Sequence, residues 1–148
     1  MAISRNPQSL VILHGAAVLL LGLLLGLAAV VEELAGTQPL TWRATHNALL
    51  LAGVWLLATG AVLHLLELSA LQVAALCWSL VVTVYAFATA ALIQAITGTR
   101  ALSPGGTLLN TVAYVANIVT VGAGIFAGVL TLAGAWAALR SGEQPRTT

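Results

Sequence analysis

The sequence contains no lysine, and its only charged side chains are five arginines and four glutamates. Charged residues make up 6% of the chain, whereas soluble proteins carry about a quarter. The net charge of +1 and the absence of any basic cluster argue against a nucleic-acid partner, because nothing could neutralise a row of phosphates. Hydrophobic residues make up 60% of the chain, and the mean hydropathy of +1.04 is typical of a protein that lies in lipid.

The sequence also lacks the motifs of common soluble enzymes. Its single cysteine, Cys77, excludes an intrachain disulfide and lies in an apolar run, where it resembles a small hydrophobe. No zinc-type Cys/His spacing, phosphate-binding glycine loop, nucleophile elbow or catalytic carboxylate pair occurs. The neighbouring Glu32 and Glu33 are typical of a solvated helix end.

Four apolar runs are each long enough to cross about 30 Å of hydrocarbon as a helix. We therefore predict an all-α fold: one domain over residues 1–148, an integral membrane bundle of four transmembrane helices. The predicted spans are residues 9–31, 48–66, 71–96 and 108–139. The first run could be mistaken for a signal peptide, but it is too long and three similar runs follow, so we interpret it as a retained helix.

The connections between the spans predict how the chain crosses the membrane. A few residues around Glu67 join the second and third spans as a tight antiparallel hairpin, while longer loops at residues 32–43 and 97–107 lie on the opposite side. Both termini then share one side, and that side carries Arg5, Arg140 and Arg146 against Arg43 and Arg100 opposite. The positive-inside rule predicts cytoplasmic termini.

Two pairs of glycines four residues apart lie in the predicted helices. Gly22 and Gly26 belong to the first helix, and Gly124 and Gly128 to the fourth. This spacing lets helix backbones approach closely. The sequence leaves open whether each pair packs within one subunit or between copies of the chain.

Three histidines are the best candidates for ligand or proton chemistry, because neutral imidazole binds haem iron without burying a net charge. His46 and His64 are about 27 Å apart along a helix axis, so they cannot hold one metal. His14 and His64 are expected near one side of the membrane, which allows a two-histidine haem site. His46 lies beside Arg43, which could pair with a haem propionate. The alternative is a purely structural role, in which each histidine extends toward the lipid headgroups or donates a hydrogen bond to a backbone carbonyl.

A polar stripe runs along the predicted fourth helix. Asn110, Tyr114 and Asn117 follow the spacing of one helix face. Such a stripe either lines a pocket or bonds to neighbouring segments, and both interpretations stay open.

Several segments together resemble bacterial styrene oxide isomerase. They occur in the same order on the same four-helix plan and cover nearly the whole chain: His14-Gly15, Trp42-Arg43-Ala44-Thr45-His46, Tyr85-Ala86-Phe87 and residues 99–106. The resemblance implies haem b between subunits of a membrane homo-oligomer, a trimer in that family. It assigns His46 as the axial iron ligand, within a cofactor-binding segment that includes Trp42 and Arg43, and Tyr85 as the catalytic residue at the substrate.

The resemblance also implies a reaction. Ferric iron acts as a Lewis acid on the oxygen of a small apolar epoxide, the ring opens, and a 1,2-hydride shift gives an aldehyde. Two departures from the family lie near Ala52, where the family has an asparagine, and near Cys77, where it has an aspartate.

Three functional hypotheses follow. The first is this isomerase; the second is a haem protein of electron transfer or sensing without isomerase activity; the third is a cofactor-free membrane subunit or small transporter.

Overall fold

The computed structural model describes residues 6–36 and 40–142. Within these ranges the chain forms four α-helices and no strand: α1 (Pro7–Leu34), α2 (Leu40–Val62), α3 (Ala70–Thr97) and α4 (Leu108–Gly142). A short 3₁₀ turn, Leu63–Leu65, follows α2. Each of the four helices is long and apolar enough to cross a membrane. The predicted all-α transmembrane bundle is therefore confirmed, and the chain is a multi-pass membrane protein.

Local sequence explains where the helices begin and end. The Asn6 side chain accepts a hydrogen bond from the Gln8 amide at the start of α1. Ser69 and Gln72 form a reciprocal capping box at the start of α3. Gly98 ends α3 in the left-handed conformation, with φ of 68°, which a glycine adopts without steric cost.

The predicted first loop is wrong at both ends. Residues 32–36 and 40–43 are mostly helical, because Glu32 and Glu33 lie in the last turn of α1 and Arg43 lies in the first turn of α2. Hydropathy marks only the lipid-embedded part of a helix, whereas the backbone hydrogen bonds of a helix continue into the polar interface. The other span boundaries lie close to those predicted.

α1 and α2 pack in close antiparallel contact along a glycine-containing seam. The buried positions on both helices alternate in steps of three and four residues: Val11, Gly15, Val18 and Gly22 on α1, and Leu49, Gly53, Leu56 and Gly60 on α2. A Cβ atom added at Gly53 would lie 2.7 Å from the Leu19 backbone nitrogen. Glycine is therefore required for the two backbones to approach this closely.

α3 is the central helix and α4 is peripheral. α3 contacts α1, α2 and α4, whereas α4 packs mainly on α3. The Glu67 amide donates to the Gly134 carbonyl at 3.2 Å, and the Ser141 hydroxyl donates to the Glu67 carboxylate at 2.5 Å. The short 66–69 connection thus ties the start of α3 to the end of α4.

Candidate functional site

His46 occupies the α1–α2 seam. It lies seven residues before Gly53 and three before Leu49, so it continues the row of α2 positions that face α1. Its Nδ1 lies 2.7 Å from the Gly22 carbonyl oxygen. Because a carbonyl only accepts, Nδ1 carries the proton and the lone pair of neutral imidazole resides on Nε2. The ring is half-buried.

Gly26 makes room for the His46 ring. A Cβ atom added there would lie 2.7 Å from both Cε1 and Nδ1 of His46. Gly22 is buried against α2 and supplies the carbonyl that His46 bonds. Of the two interpretations of this glycine pair, the structure therefore shows packing within one subunit. In α4, Gly124 contacts Thr83, while Gly128 faces open space.

Arg43 forms an ion pair with Glu33 across the same two helices. Both side chains are about half exposed, at 51% and 56%. Such exposed pairs contribute little to stability, so little free energy opposes a change of partner. The contact of Arg43 with a haem propionate stays a prediction, as does the cofactor role of Trp42, whose side chain is half-buried near the start of α2.

Tyr85 and His14 form a second polar pair, between α3 and α1. The Tyr85 hydroxyl lies 3.0 Å from His14 Nδ1, and the two rings meet edge to face with centroids 5.5 Å apart. Tyr85 is 41% exposed, although it lies near the middle of its membrane-spanning helix. The pair thus presents polar atoms at the surface of the chain, deep in the bilayer.

The structure separates His14 from His64. His64 lines a recess with Asn6, Pro7 and Gln8 at the start of α1. His14 follows Gln8 by six residues, or about 9 Å along the helix, and it pairs with Tyr85 instead. The expectation that these two histidines lie at one depth is therefore wrong. They are too far apart along the bundle to bind one haem iron together.

His46 and Tyr85 also lie at different levels of the bundle. His46 packs against α1 at Gly22 and Gly26, whereas Tyr85 meets α1 at His14. Eight residues of α1 separate Gly22 from His14, which is about 12 Å along the axis. One chain alone does not bring these two side chains into contact.

Three grooves adjoin one another at Phe87 of α3. An apolar groove of about 440 Å³ contains Ala52 among its lining residues. A more polar groove of about 420 Å³ lies between α2 and α3 and reaches Arg100, and a third of about 470 Å³ includes Tyr114 and Asn117. Ala52 therefore leaves an apolar wall where the resembling family is expected to have an amide.

The polar stripe of α4 both bonds to a neighbouring segment and lines a groove. The Asn110 amide donates to the Ser103 and Gly105 carbonyls, and the Asn117 amide donates to the Ala101 carbonyl. These bonds hold the 98–107 loop against α4, while Tyr114 and Asn117 also line a groove.

The sequence matches a known protein family. A family model described as styrene oxide isomerase matches residues 7–136. The chain belongs to the styrene oxide isomerase family. The match includes all three histidines, Arg43, Trp42 and Tyr85, so the suspected family is confirmed. No curated protein and no solved structure matches the chain.

Two features of this family member were missed by reasoning from the sequence. The first is the support of His46 by Gly22 and Gly26, which the seven-residue spacing from His46 to Gly53 could have indicated. The second is the pairing of His14 with Tyr85. No sequence pattern links two residues on helices that are not consecutive in the chain, so this contact could be found only from the fold. Cys77 is buried as expected, with its thiol 3.8 Å from the Pro7 carbonyl.

Proposed function

We propose that this protein is a membrane-bound, haem b-dependent isomerase that converts a small aryl or apolar epoxide to an aldehyde. The observation that carries the proposal is the fixed tautomer of His46. Its Nδ1–H donates to a carbonyl at 2.7 Å, which leaves the Nε2 lone pair for iron. A hydrogen bond of this kind from the second ring nitrogen is what orients metal-binding imidazoles in proteins.

The surrounding residues fit haem better than a bare metal ion. Within residues 6–36 and 40–142, no three His, Cys, Asp or Glu side chains converge. A metal held by His46 must therefore bring most of its ligands with it, as the iron of haem does. Gly26 keeps the imidazole in place, and Arg43 lies one turn before His46 on α2, where its exposed guanidinium can exchange Glu33 for a propionate.

Haem bound at His46 supplies an electrophilic iron for the epoxide oxygen. Tyr85 supplies a hydrogen-bond donor to the same oxygen as negative charge develops on it. One C–O bond breaks, a hydride moves to the neighbouring carbon, and the remaining C–O bond becomes the carbonyl. No electron or proton leaves the substrate, so the protein need only bind, orient and exclude water.

We further propose that the site is completed between copies of the chain. The roughly 12 Å along α1 between the His46 and Tyr85 levels leaves the two residues apart in one subunit, whereas a homo-oligomer, such as a trimer, can bring Tyr85 of one copy to His46 of another. The apolar groove at Phe87 opens at the lipid-facing surface of α2 and α3, which suits entry of an apolar epoxide from the bilayer. The arginine distribution favours cytoplasmic termini, and the resemblance to a bacterial family implies a bacterial plasma membrane.

The experiment is an absorption spectrum of the purified protein with and without styrene oxide, compared between the wild type, His46→Ala and His64→Ala. We expect a Soret band and aldehyde formation in the wild type and in His64→Ala, and loss of both in His46→Ala. His64 is a matched control, because it is exposed and lies at the far end of α2. Full haem occupancy in His46→Ala would refute the ligand assignment.

One observation favours a second function, a haem protein of electron transfer or sensing. Ala52 and Cys77 provide no amide or carboxylate where the family is expected to have them. A haem band without aldehyde formation would support this alternative. A colourless protein reconstituted with excess haem would instead indicate a cofactor-free membrane subunit.

A further inference from the structure

The His14–Tyr85 pair has a chemical consequence that depends on which atom donates. A phenol hydroxyl has one hydrogen. If Tyr85 donates it to His14, the Tyr85 oxygen can only accept from a substrate. If instead His14 Nδ1–H donates to the Tyr85 oxygen, the phenol hydrogen is free for another acceptor. The 3.0 Å distance suits both arrangements.

We infer that His14 is a positioning residue that donates its Nδ1–H to the Tyr85 oxygen and so directs the Tyr85 hydroxyl hydrogen toward the substrate oxygen. This inference rests on the proposed function, in which Tyr85 donates to the opening epoxide. His14 is held for this role by the edge-to-face contact, with ring planes at 88°. Accepting one hydrogen bond also strengthens the bond that a hydroxyl donates.

The position of the pair supports this direction. Tyr85 is 41% exposed near the middle of α3, where an unpaired polar group facing lipid is costly. A hydroxyl hydrogen aimed at the surface therefore needs an acceptor there, and an epoxide oxygen is a pure acceptor. If Tyr85 pointed its hydrogen at His14, the Tyr85 oxygen would offer only lone pairs to a substrate, and an epoxide oxygen cannot bond to those.

The two directions predict opposite effects of removing His14. If His14 is the donor, His14→Leu removes the hydrogen bond that orients the Tyr85 hydroxyl. The bond from Tyr85 to the substrate is then weaker, and kcat for epoxide isomerisation falls. If His14 is instead the acceptor, its removal releases the Tyr85 hydrogen for the substrate, and kcat would be unchanged or higher. We expect a fall of about five- to tenfold in kcat, the size of one hydrogen bond, with an unchanged KM. The His14→Gln variant, whose amide can still donate, should recover most of the loss.

Two controls separate this role from simple packing. His64→Leu makes the same substitution at an exposed histidine and should leave kcat unchanged. The double variant His14→Leu/Tyr85→Phe should be no slower than Tyr85→Phe alone, because His14 acts only through the Tyr85 hydroxyl. Additive losses, or an unchanged kcat in His14→Leu, would overturn the inference.

A second measurement does not depend on turnover. ¹⁵N NMR of protein labelled at histidine reports which ring nitrogen of His14 is protonated, with the signal assigned by its absence in His14→Leu. Protonated Nδ1 with unprotonated Nε2 is the expected result, and the opposite tautomer overturns the inference. If the wild type forms no aldehyde, the proposed function fails, yet the tautomer still decides the direction of this hydrogen bond.

Discussion

Replacing Gly26 with alanine tests whether the packing of α1 controls haem binding through His46. The added Cβ would lie 2.7 Å from Cε1 and Nδ1, whereas ordinary contacts begin at 3.4 Å. The ring must therefore move by about 0.7 Å. The ring cannot easily turn aside, because the Nδ1–H bond to the Gly22 carbonyl and the α1–α2 seam hold it.

The displacement has a calculable cost. Where this displacement from Gly26 also carries Nδ1 straight away from the Gly22 carbonyl, it lengthens the 2.7 Å bond beyond the roughly 3.2 Å limit of a good hydrogen bond. The loss is about 1 kcal/mol for the bond itself. For residues that orient a metal-binding histidine, substitutions typically lower metal affinity by about 10- to 100-fold. We expect the Kd for haem to rise by that factor.

The assay is titration of the haem-free protein with haem, followed at the Soret band, for the wild type, Gly26→Ala and Gly128→Ala. Gly128 is the matched control, because it is also in a helix and a Cβ there meets nothing within 4 Å. Its replacement should raise helix propensity without changing haem affinity. Equal haem affinity in Gly26→Ala and Gly128→Ala would refute the role assigned to the Gly26 contact.

Three further substitutions test other parts of the structure. Gly53→Ala should lower the stability of the bundle by about 1 to 3 kcal/mol, since its Cβ meets α1 backbone, and an unchanged Tm would contradict the close seam. Asn117→Ala should speed tryptic cleavage after Arg100, because it removes the bond that holds the adjacent loop carbonyl; equal cleavage rates would show that this bond does not restrain the loop. Arg43→Gln should leave Tm nearly unchanged, because the pair with Glu33 is exposed to solvent, but it should weaken haem binding; unaltered haem affinity would refute a propionate contact.

The helices could be predicted from the sequence because lipid requires long apolar runs whose backbone is bonded internally. Sequence also predicted the short link at Glu67, since the turn is bounded by polar residues and by the Ser69 cap. α2 begins eight residues before its predicted apolar span, because Arg43, Thr45 and His46 lower the hydropathy and yet continue the helix. Hydropathy measures the environment of a segment, not its backbone conformation.

The candidate site was predictable as a set of residue types but not as a set of contacts. His46 and Tyr85 were assigned roles by the resemblance to the family. Residue spacing alone could not assign them, because single histidines and tyrosines are common in membrane helices. The partner of each is set by helix rotation and depth. A shift of one residue in the packing of α1 turns it by 100°, which would carry His14 away from Tyr85.

The two polar contacts of the site share one helix, and this makes α1 the element on which the proposed chemistry depends. Gly22 and Gly26 orient His46, and eight residues earlier His14 pairs with Tyr85. The rotation of α1 is fixed by its buried seam with α2, so both contacts are set by the same packing. α4 takes no part in either, and it is the least buried of the four spans, at 11% against 44% for α3. Its apolar surface is therefore available to lipid or to another copy of the chain.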